Sequence, residues 1–390
     1  MKRSIGLMFA LILLASLLLG CDVPGTSVTS SVPALAPTSE TRLLQEPTRA
    51  PPDVAIAMTD SVVLAALEGS LQSIYANVNP SVVSIRVGSS GAGSGFVWDQ
   101  NGHIVTNNHV VADGGRLAVM FHDGTTVNAT VVGTDRDSDL AVLKVSRPAE
   151  ELKPVTVADS SLVQVGQLVV AIGNPFGLQN TMTVGFVSAT GRGLPVDPET
   201  EGVSYSIPDV IQTDASINPG NSGGVLVDSE GRLIGVTSAI VSPVRASAGV
   251  GFAVPSAIVK NVVPVLIERG RFEHPWLGLT GTTLTPDLAE AMGLPAGQRG
   301  ALVIAVVAGG PSASAGLRPS ERSVRIENTQ VQVGGDVIIA IDGEPILDMD
   351  DLIAYLSRST RVGQTIIMDV LRQGKVEKIS VTLGARPSAN

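Results

Sequence analysis

The sequence predicts a mostly β protein, with sandwiches or barrels through its middle, followed by a small mixed α/β domain. Three observations carry this. Between Val82 and Val254, short β-branched apolar runs alternate with Gly, Asn and Asp clusters, the punctuation of strands and tight turns and not of βαβ units. Hydrophobic residues make up 44% of the chain but aromatic residues only 3%, so the cores must be built from Val, Ile, Leu and Ala. At 390 residues the chain is long enough for two or three domains with separate cores, and the β-rich stretch alone has room for two small barrels packed together.

Composition also excludes several classes. Charged residues are 16% of the chain, with 42 Gly and 24 Pro, which fits neither a highly charged disordered chain nor a coiled coil. The formal charge is -10, with no basic stripe, which argues against a general nucleic-acid binder. One cysteine forbids an internal disulfide and a cysteine-rich metal site, and four histidines make a histidine cluster scarce. No metal or organic cofactor is expected.

Lys2 and Arg3 precede an uncharged run from Ile5 to Gly20, the pattern of an export signal. The run is short for a relaxed membrane span, which needs about 20 residues. It ends in Leu18-Leu19-Gly20-Cys21, which resembles the bacterial lipobox. The resemblance implies cleavage before Cys21 and lipid on that cysteine; the alternative is an uncleaved anchor with an incidental cysteine. Either way the remainder is expected to be extracytoplasmic and held at a bacterial membrane. Residues 1–20 are thus read as signal. Residues 21–60, rich in Pro, Ser, Thr and Ala with Pro51-Pro52 inside, are read as a tether or a disordered leader.

From Ser61 to Val78 the spacing of Leu64, Leu67, Leu71 and Ile74 predicts a helix with one face toward a core. Strands follow at Val82–Val87, then, after a glycine-rich turn, at Gly95–Trp98. Asp99-Gln100-Asn101-Gly102 reads as a hairpin turn before Ile104–Thr106. Further strands fit 116–121, 126–133, 139–145, 167–172, 181–189, 225–227, 233–237 and 251–254. Pro255 to Arg269 has helical spacing, Gly270 can end it, and Pro264 predicts a kink or break inside it. The β-rich domain is placed at 61–270. The last domain, 271–384, opens with a strand at Leu277-Gly278-Leu279. It continues with a short helix at 287–292, a strand at 301–307, a helical turn at 312–316 and a strand at 336–341. A helix at Asp348–Ser357 and a hairpin around Gln373-Gly374-Lys375 complete it; residues 385–390 are a tail.

Asn218-Pro219-Gly220-Asn221-Ser222-Gly223-Gly224 could carry chemistry. A serine hydroxyl is a weak nucleophile until a base takes its proton. Flanking glycines allow close backbone approach, and amides of Gly220 and Ser222 could converge on an oxyanion. The base should be a histidine. His109 follows a strand and is itself followed by two valines; His103 and His122 read as turn residues and His274 lies in the interdomain link. The third member should be a carboxylate. Of Asp135, Asp137 and Asp139, the last stands at the mouth of the Leu140–Val145 strand, while the others suit a solvated turn. The order is His109, Asp139 30 residues on, and Ser222 83 residues beyond that. This is the chymotrypsin-type order; α/β-hydrolases run Ser, Asp, His.

With these residues assembled, the chain resembles the HtrA/Deg family of serine proteases over about residues 66 to 384. The motifs are TNNHVV at 106–111, DSDLAVLKV at 137–145, IGNPFG at 172–177 and DVIQTDASINPGNSGG at 209–224. The resemblance implies a chymotrypsin/trypsin-like double β-barrel followed by one PDZ domain. It places the catalytic triad on His109, Asp139 and Ser222, and the oxyanion hole on the backbone of Gly220, Asn221 and Ser222. Gly251-Phe252-Ala253-Val254-Pro255 falls near the substrate pocket, whose wall is expected from Val236, Ala239, Ile240 and Phe252; small or medium apolar residues would precede the cut. Val225 stands where the family usually has proline. The PDZ carboxylate-binding loop falls on Trp276, Leu277, Gly278 and Leu279, where a peptide would add as a strand. Leu352 and Leu356 either line that groove or only pack the core. The implied partners are unfolded exported proteins, C-terminal peptides and further copies in a trimer, since the loop after Val87 is too short for the large-cage members. The connection from Leu317 to Gly334 is longer than the family norm.

Overall fold

A computed structural model describes residues 60–88, 91–174, 181–196, 205–238 and 249–387. The expected signal and nearly all of the tether, with Cys21, lie outside the described residues, as do Ala239 and Ile240. Helix α1 spans Asp60–Val78. Leu71, Ile74 and Val78 pack against the core, but Leu64 and Leu67 are 57% and 43% exposed, because the barrel surface reaches only the last turns of the helix.

Six strands close the first barrel: β1 (Val82–Val87), β2 (Gly91–Val97), β3 (His103–Thr106), β4 (Leu117–Met120), β5 (Thr126–Asp135) and β6 (Leu140–Val145), in the order β1-β2-β3-β6-β5-β4. Between β3 and β4 a single helical turn, α2, spans Asn108–Val111. Gly91–Ser94, expected as a turn, is strand paired to Ser84–Val87. Its glycines answer to packing: a Cβ on Gly93 would sit 2.6 Å from the Val110 side chain, and one on Gly95 would sit 2.8 Å from Ile85. Six more strands close the second barrel: β7 (Leu168–Gly173), β8 (Thr181–Val196), β9 (Tyr205–Thr213), β10 (Val225–Val227), β11 (Leu233–Ser238) and β12 (Gly251–Pro255). The sequence pattern did not show β9. Pro208 and a left-handed Asp209 (φ 57°) interrupt it, and its pairing to β8 shifts register there.

Successive side chains of a strand point to opposite faces, and on β6 both faces are dry apart from Lys144. On β6, Ala141, Leu143 and Val145 fill the first barrel, while Leu140 and Val142 join a second cluster with Phe96 and Val105. That cluster continues into Ile172, Val225, Val236 and Val254 of the second barrel, so one apolar seam joins the two. Helix α3 (Ser256–Arg269) adds Ile258, Val259, Val262, Val263 and Leu266 to the seam. It runs unbroken through the exposed Pro264 and ends at Gly270, which is left-handed (φ 77°) and donates its N–H to Leu266.

The last domain is mixed. Leu277-Gly278-Leu279 is not one strand: β13 (Pro275–Trp276) ends before Gly278, whose φ of 71° turns the chain into β14 (Leu279–Thr283). Helix α4 (Pro286–Ala291), β15 (Ala301–Val306) and α5 (Pro311–Ser314) follow. The long connection after Leu317 holds a hairpin, β16 (Arg322–Ile326) with β17 (Thr329–Val333). Its alternating Val324, Ile326, Val331 and Val333 pack beside Leu284 and Leu302. Then come β18 (Val337–Ile341), β19 (Glu344–Pro345), α6 (Met349–Ser359), β20 (Thr365–Arg372), β21 (Lys375–Thr382) and β22 (Gly384–Ala385). The main sheet runs β14-β15-β18-β20-β21, and α6 starts on Asp348, whose carboxylate accepts the Asp351 N–H.

Helix α6 also lies on β8 and β9 of the second barrel. Asn261 Nδ2 donates to the Arg358 carbonyl at 2.5 Å, and Arg358 pairs with Glu344 and, at 3.7 Å, with Asp209. Burial pushes the Asp209 carboxyl up to about 6 from 3.8, despite Arg358. The unfolded chain gives up this proton first, so the contribution of Asp209 to stability is greatest below about pH 4 and is lost as pH rises through about 6. Urea midpoints across that interval should therefore fall less in Asp209→Asn than in the parent. The difference should be at most about 3 kcal/mol, and identical pH slopes would refute the burial argument.

Candidate active site

Asp139 is fully buried at the end of the β5–β6 connection, in the left-handed region at φ 54°. Such a backbone costs a non-glycine residue about 1–2 kcal/mol, and several bonds hold it there. Its carbonyl accepts the Asn108 N–H at 3.0 Å and Asn107 Nδ2 at 2.9 Å. Its carboxylate accepts the His109 backbone N–H at 3.0 Å, the Ser238 hydroxyl at 3.1 Å and the His109 ring Nδ1 at 2.8 Å. A carboxylate can only accept, so Nδ1 carries the hydrogen, and in the neutral imidazole the lone pair is then on Nε2. The side chain of His109 is 25% exposed, so the ring reaches solvent while its carboxylate partner is dry.

Ser222 follows a tight turn. The Asn221 N–H donates to the Asn218 carbonyl at 2.9 Å, with Pro219 at the second position and Gly220 at φ 97° in the third, the type II pattern. The turn uses the Asn221 amide. Of the expected oxyanion residues, therefore, Asn221 contributes shape, and the amide donors to consider are those of Gly220 and Ser222. Carbonyls around the serine are already engaged: Gly220 accepts the Ser94 hydroxyl at 2.6 Å, Asn221 the Thr237 hydroxyl at 2.6 Å and Ser222 the Ser94 N–H at 2.8 Å. Thr106 in turn donates its hydroxyl to the Ser94 carbonyl at 2.6 Å. These bonds pin the serine loop against the strand that leads to His109. Nothing in the sequence pattern singled out Ser94, Thr106, Thr237 or Ser238.

The other expected residues fall into distinct places. Val236 is fully buried in the seam between the barrels and presents no surface to a cleft, because its strand face points inward. Phe252 is half-buried on β12, opposite Ser238. His103 is the first residue of β3 and its ring pairs with Asp99 at 2.7 Å, outside the site. In the last domain Trp276, Leu277, Gly278, Leu279, Leu352 and Leu356 all line one cavity of about 220 Å³ beside α6. Leu352 is 1% exposed and belongs to the core as well, so it forms the cavity floor. The carbonyls of Leu277 and Gly278 are drawn away by the N–H groups of Ser312 and Val307. A larger cavity, about 800 Å³, opens between α3 and Arg361-Val362 and contains none of the candidate residues.

Gly223 is a position where the loop tolerates no side chain. Its φ is 84°, and a Cβ would lie 2.2 Å from the Ser94 carbonyl oxygen and 2.3 Å from the Thr106 hydroxyl. Gly223→Ala should displace Ser222 and lower its rate of modification by an organophosphorus serine reagent by about two orders of magnitude, as read by mass spectrometry. An unchanged rate would show that the loop accommodates the methyl group.

Residues 93–236 match the trypsin-like peptidase domain family, and residues 275–383 match the PDZ domain family. Protease Do-like 1, chloroplastic, of Arabidopsis thaliana is 43% identical over 298 residues, covering 76% of this chain and 64% of that protein. The periplasmic pH-dependent serine endoprotease DegQ of Escherichia coli (strain K12) is 36% identical over 302 residues, covering 77% and 61%. The chain thus spans less than two thirds of the length of these relatives. Among solved structures, the HtrA-type protease AlgW with a tripeptide has a TM-score of 0.65 at 37% identity, covering 82% of this chain and 98% of that one. The same protease with a decapeptide gives 0.61 at 34% identity, covering 82% and 99%. Two closed six-stranded barrels, a His109 ring held by the buried Asp139 and a following mixed α/β domain agree with these matches, and the chain belongs to the HtrA-type protease family.

Proposed function

We propose that the chain is a serine endopeptidase acting on unfolded or damaged exported proteins. The observation that carries this reading is the hydrogen-bonded His109–Asp139 pair, whose carboxylate also accepts the Ser238 hydroxyl from the second barrel, the barrel whose β9–β10 connection carries Ser222. Ser222 Oγ attacks the scissile carbonyl carbon while His109 Nε2 takes the hydroxyl proton. Asp139 holds the ring tautomer and faces the imidazolium charge. The carbonyl oxygen becomes an oxyanion, which the amides of Gly220 and Ser222 receive. Collapse breaks the C–N bond, and His109 returns the proton to the leaving amine. Water deprotonated by His109 then releases the acyl group.

A preference for small or medium apolar residues before the cut is part of this reading, and of the residues the family resemblance assigns to the pocket it rests on Phe252, half-buried on β12. The groove at Trp276–Leu279 is read as the seat of C-terminal peptides, which would add alongside β14. Relatives with periplasmic in their names support an extracytoplasmic location. Lipid on Cys21 and assembly as a trimer complete the proposal.

Casein digestion tests the chemistry. Ser222→Ala and His109→Ala should each lose about six orders of magnitude in kcat, and Asp139→Asn about four. Full activity in Ser222→Ala would end the protease reading. Mapping the cut sites by mass spectrometry checks the apolar preference; cleavage mainly after Lys or Arg would remove it. For the anchor, Cys21→Ser should move the protein from the membrane pellet to the soluble fraction in a bacterial host, and an unchanged distribution would argue for an uncleaved span.

A further inference from the structure

The peptide groove has a charged end for which the hydrolytic reaction has no use. Among the described residues lining the cavity there is no Asp or Glu, and Arg386 is the one permanent charge. The walls beside it are Leu277, Leu279, Met349, Leu352, Ile353 and Leu356. Its backbone is fixed: the Arg386 N–H donates to the His274 carbonyl at 3.0 Å, next to the β13–β22 pairing of Pro275 with Ala385 and Trp276 with Gly384. His274 lines the same end, and its Nε2 lies 2.8 Å from the buried Asp135.

The guanidinium of Arg386 reaches out of the last domain to Asp137, NH1 to Oδ2 at 2.5 Å. The arginine side chain is 53% exposed and the aspartate 29%, so the pair is a surface one, open to competition. Guanidinium carries five donors in a planar fork suited to carboxylates. A peptide lying in the groove sends its terminal carboxylate to the amides of the Trp276–Leu279 loop, and that leaves the cation at Arg386 for a second acid.

We propose that Arg386 is a specificity-determining residue of the groove, which makes it select peptides carrying an acidic side chain near an apolar C-terminus. Asp137 holds the guanidinium when the groove is empty and competes with the incoming acid. The proposal rests on the groove being a peptide seat. A peptide acid and Asp137 draw on the same cation, so weakening Asp137 strengthens the peptide's hold, and the reverse.

Fluorescence anisotropy on the full chain, carrying Ser222→Ala to prevent cleavage, tests this. The probes are a labelled heptapeptide with an apolar C-terminus as free acid, its C-terminal amide, and versions with Asp, Asn or Lys at each of the three preceding positions. Asp should bind about three- to fivefold tighter than Asn at one of these positions. Arg386→Gln should abolish that difference, Arg386→Glu should turn it into a preference for Lys, and Asp137→Asn should widen it. No difference between Asp and Asn, or one that survives Arg386→Gln, overturns the assignment while leaving the groove a peptide site. So does an Arg386 effect that follows amidation of the terminus instead of the side chain. If none of the probes binds, the peptide-seat reading falls together with it.

Discussion

The buried carboxylate of Asp139 is the constraint around which the rest of the fold is arranged. A desolvated charge must be met by donors, or the site will not hold it. Its donors come from both barrels: the backbone and ring of His109 follow β3 of the first, and the Ser238 hydroxyl ends β11 of the second. The Asp139 carbonyl is tied by Asn107 and Asn108 at the same time. The group that orients the imidazole is therefore also a polar stitch between barrels that otherwise meet through an apolar seam of Phe96, Leu140, Val225 and Val254. The seam keeps water out, and dryness makes each of those hydrogen bonds count for more.

Hydroxyl groups do for the serine loop what His109 and Ser238 do for Asp139. Ser94, Thr106 and Thr237 donate to carbonyls or anchor the strand that does so. An idle carbonyl facing the cleft would repel a developing oxyanion, and these bonds occupy the carbonyls of residues 220, 221 and 222. Glycine at 223 is required by the same arrangement, since the loop lies against the backbone of Ser94 with no room for a Cβ. Loop shape and strand packing are thus one problem with one solution.

The last domain is joined to the barrels by polar contacts instead of a shared core. Asn261 and Arg358 link α3 to α6, Asp209 sits under that link with its carboxyl pushed up by burial, and His274 and Arg386 reach Asp135 and Asp137. Asp135 ends β5, and Asp137 lies in the turn that ends in Asp139. Polar junctions of this kind are weaker than an apolar seam.

Much of this was legible along the chain. Strand positions followed from β-branched runs between turn residues, and His109, Asp139 and Ser222 followed from residue type, neighbours and order, because local chemistry limits which side chains can serve. Three things were hidden. β9 was broken by Pro208 and the left-handed Asp209, so its period did not show. Gly91 and Gly93 at the start of β2 looked like a turn, since only packing, of Gly93 against Val110, reveals why the chain is small there. Val236 looked like a pocket wall, but its strand face points into the seam. Sequence by itself determined the element types and the mixed second half, which depend on neighbours within a few residues. Tertiary structure alone decided which hydroxyls meet which carbonyls, and that Arg386 crosses to Asp137. Those are contacts between residues far apart in the chain, and no local pattern encodes them.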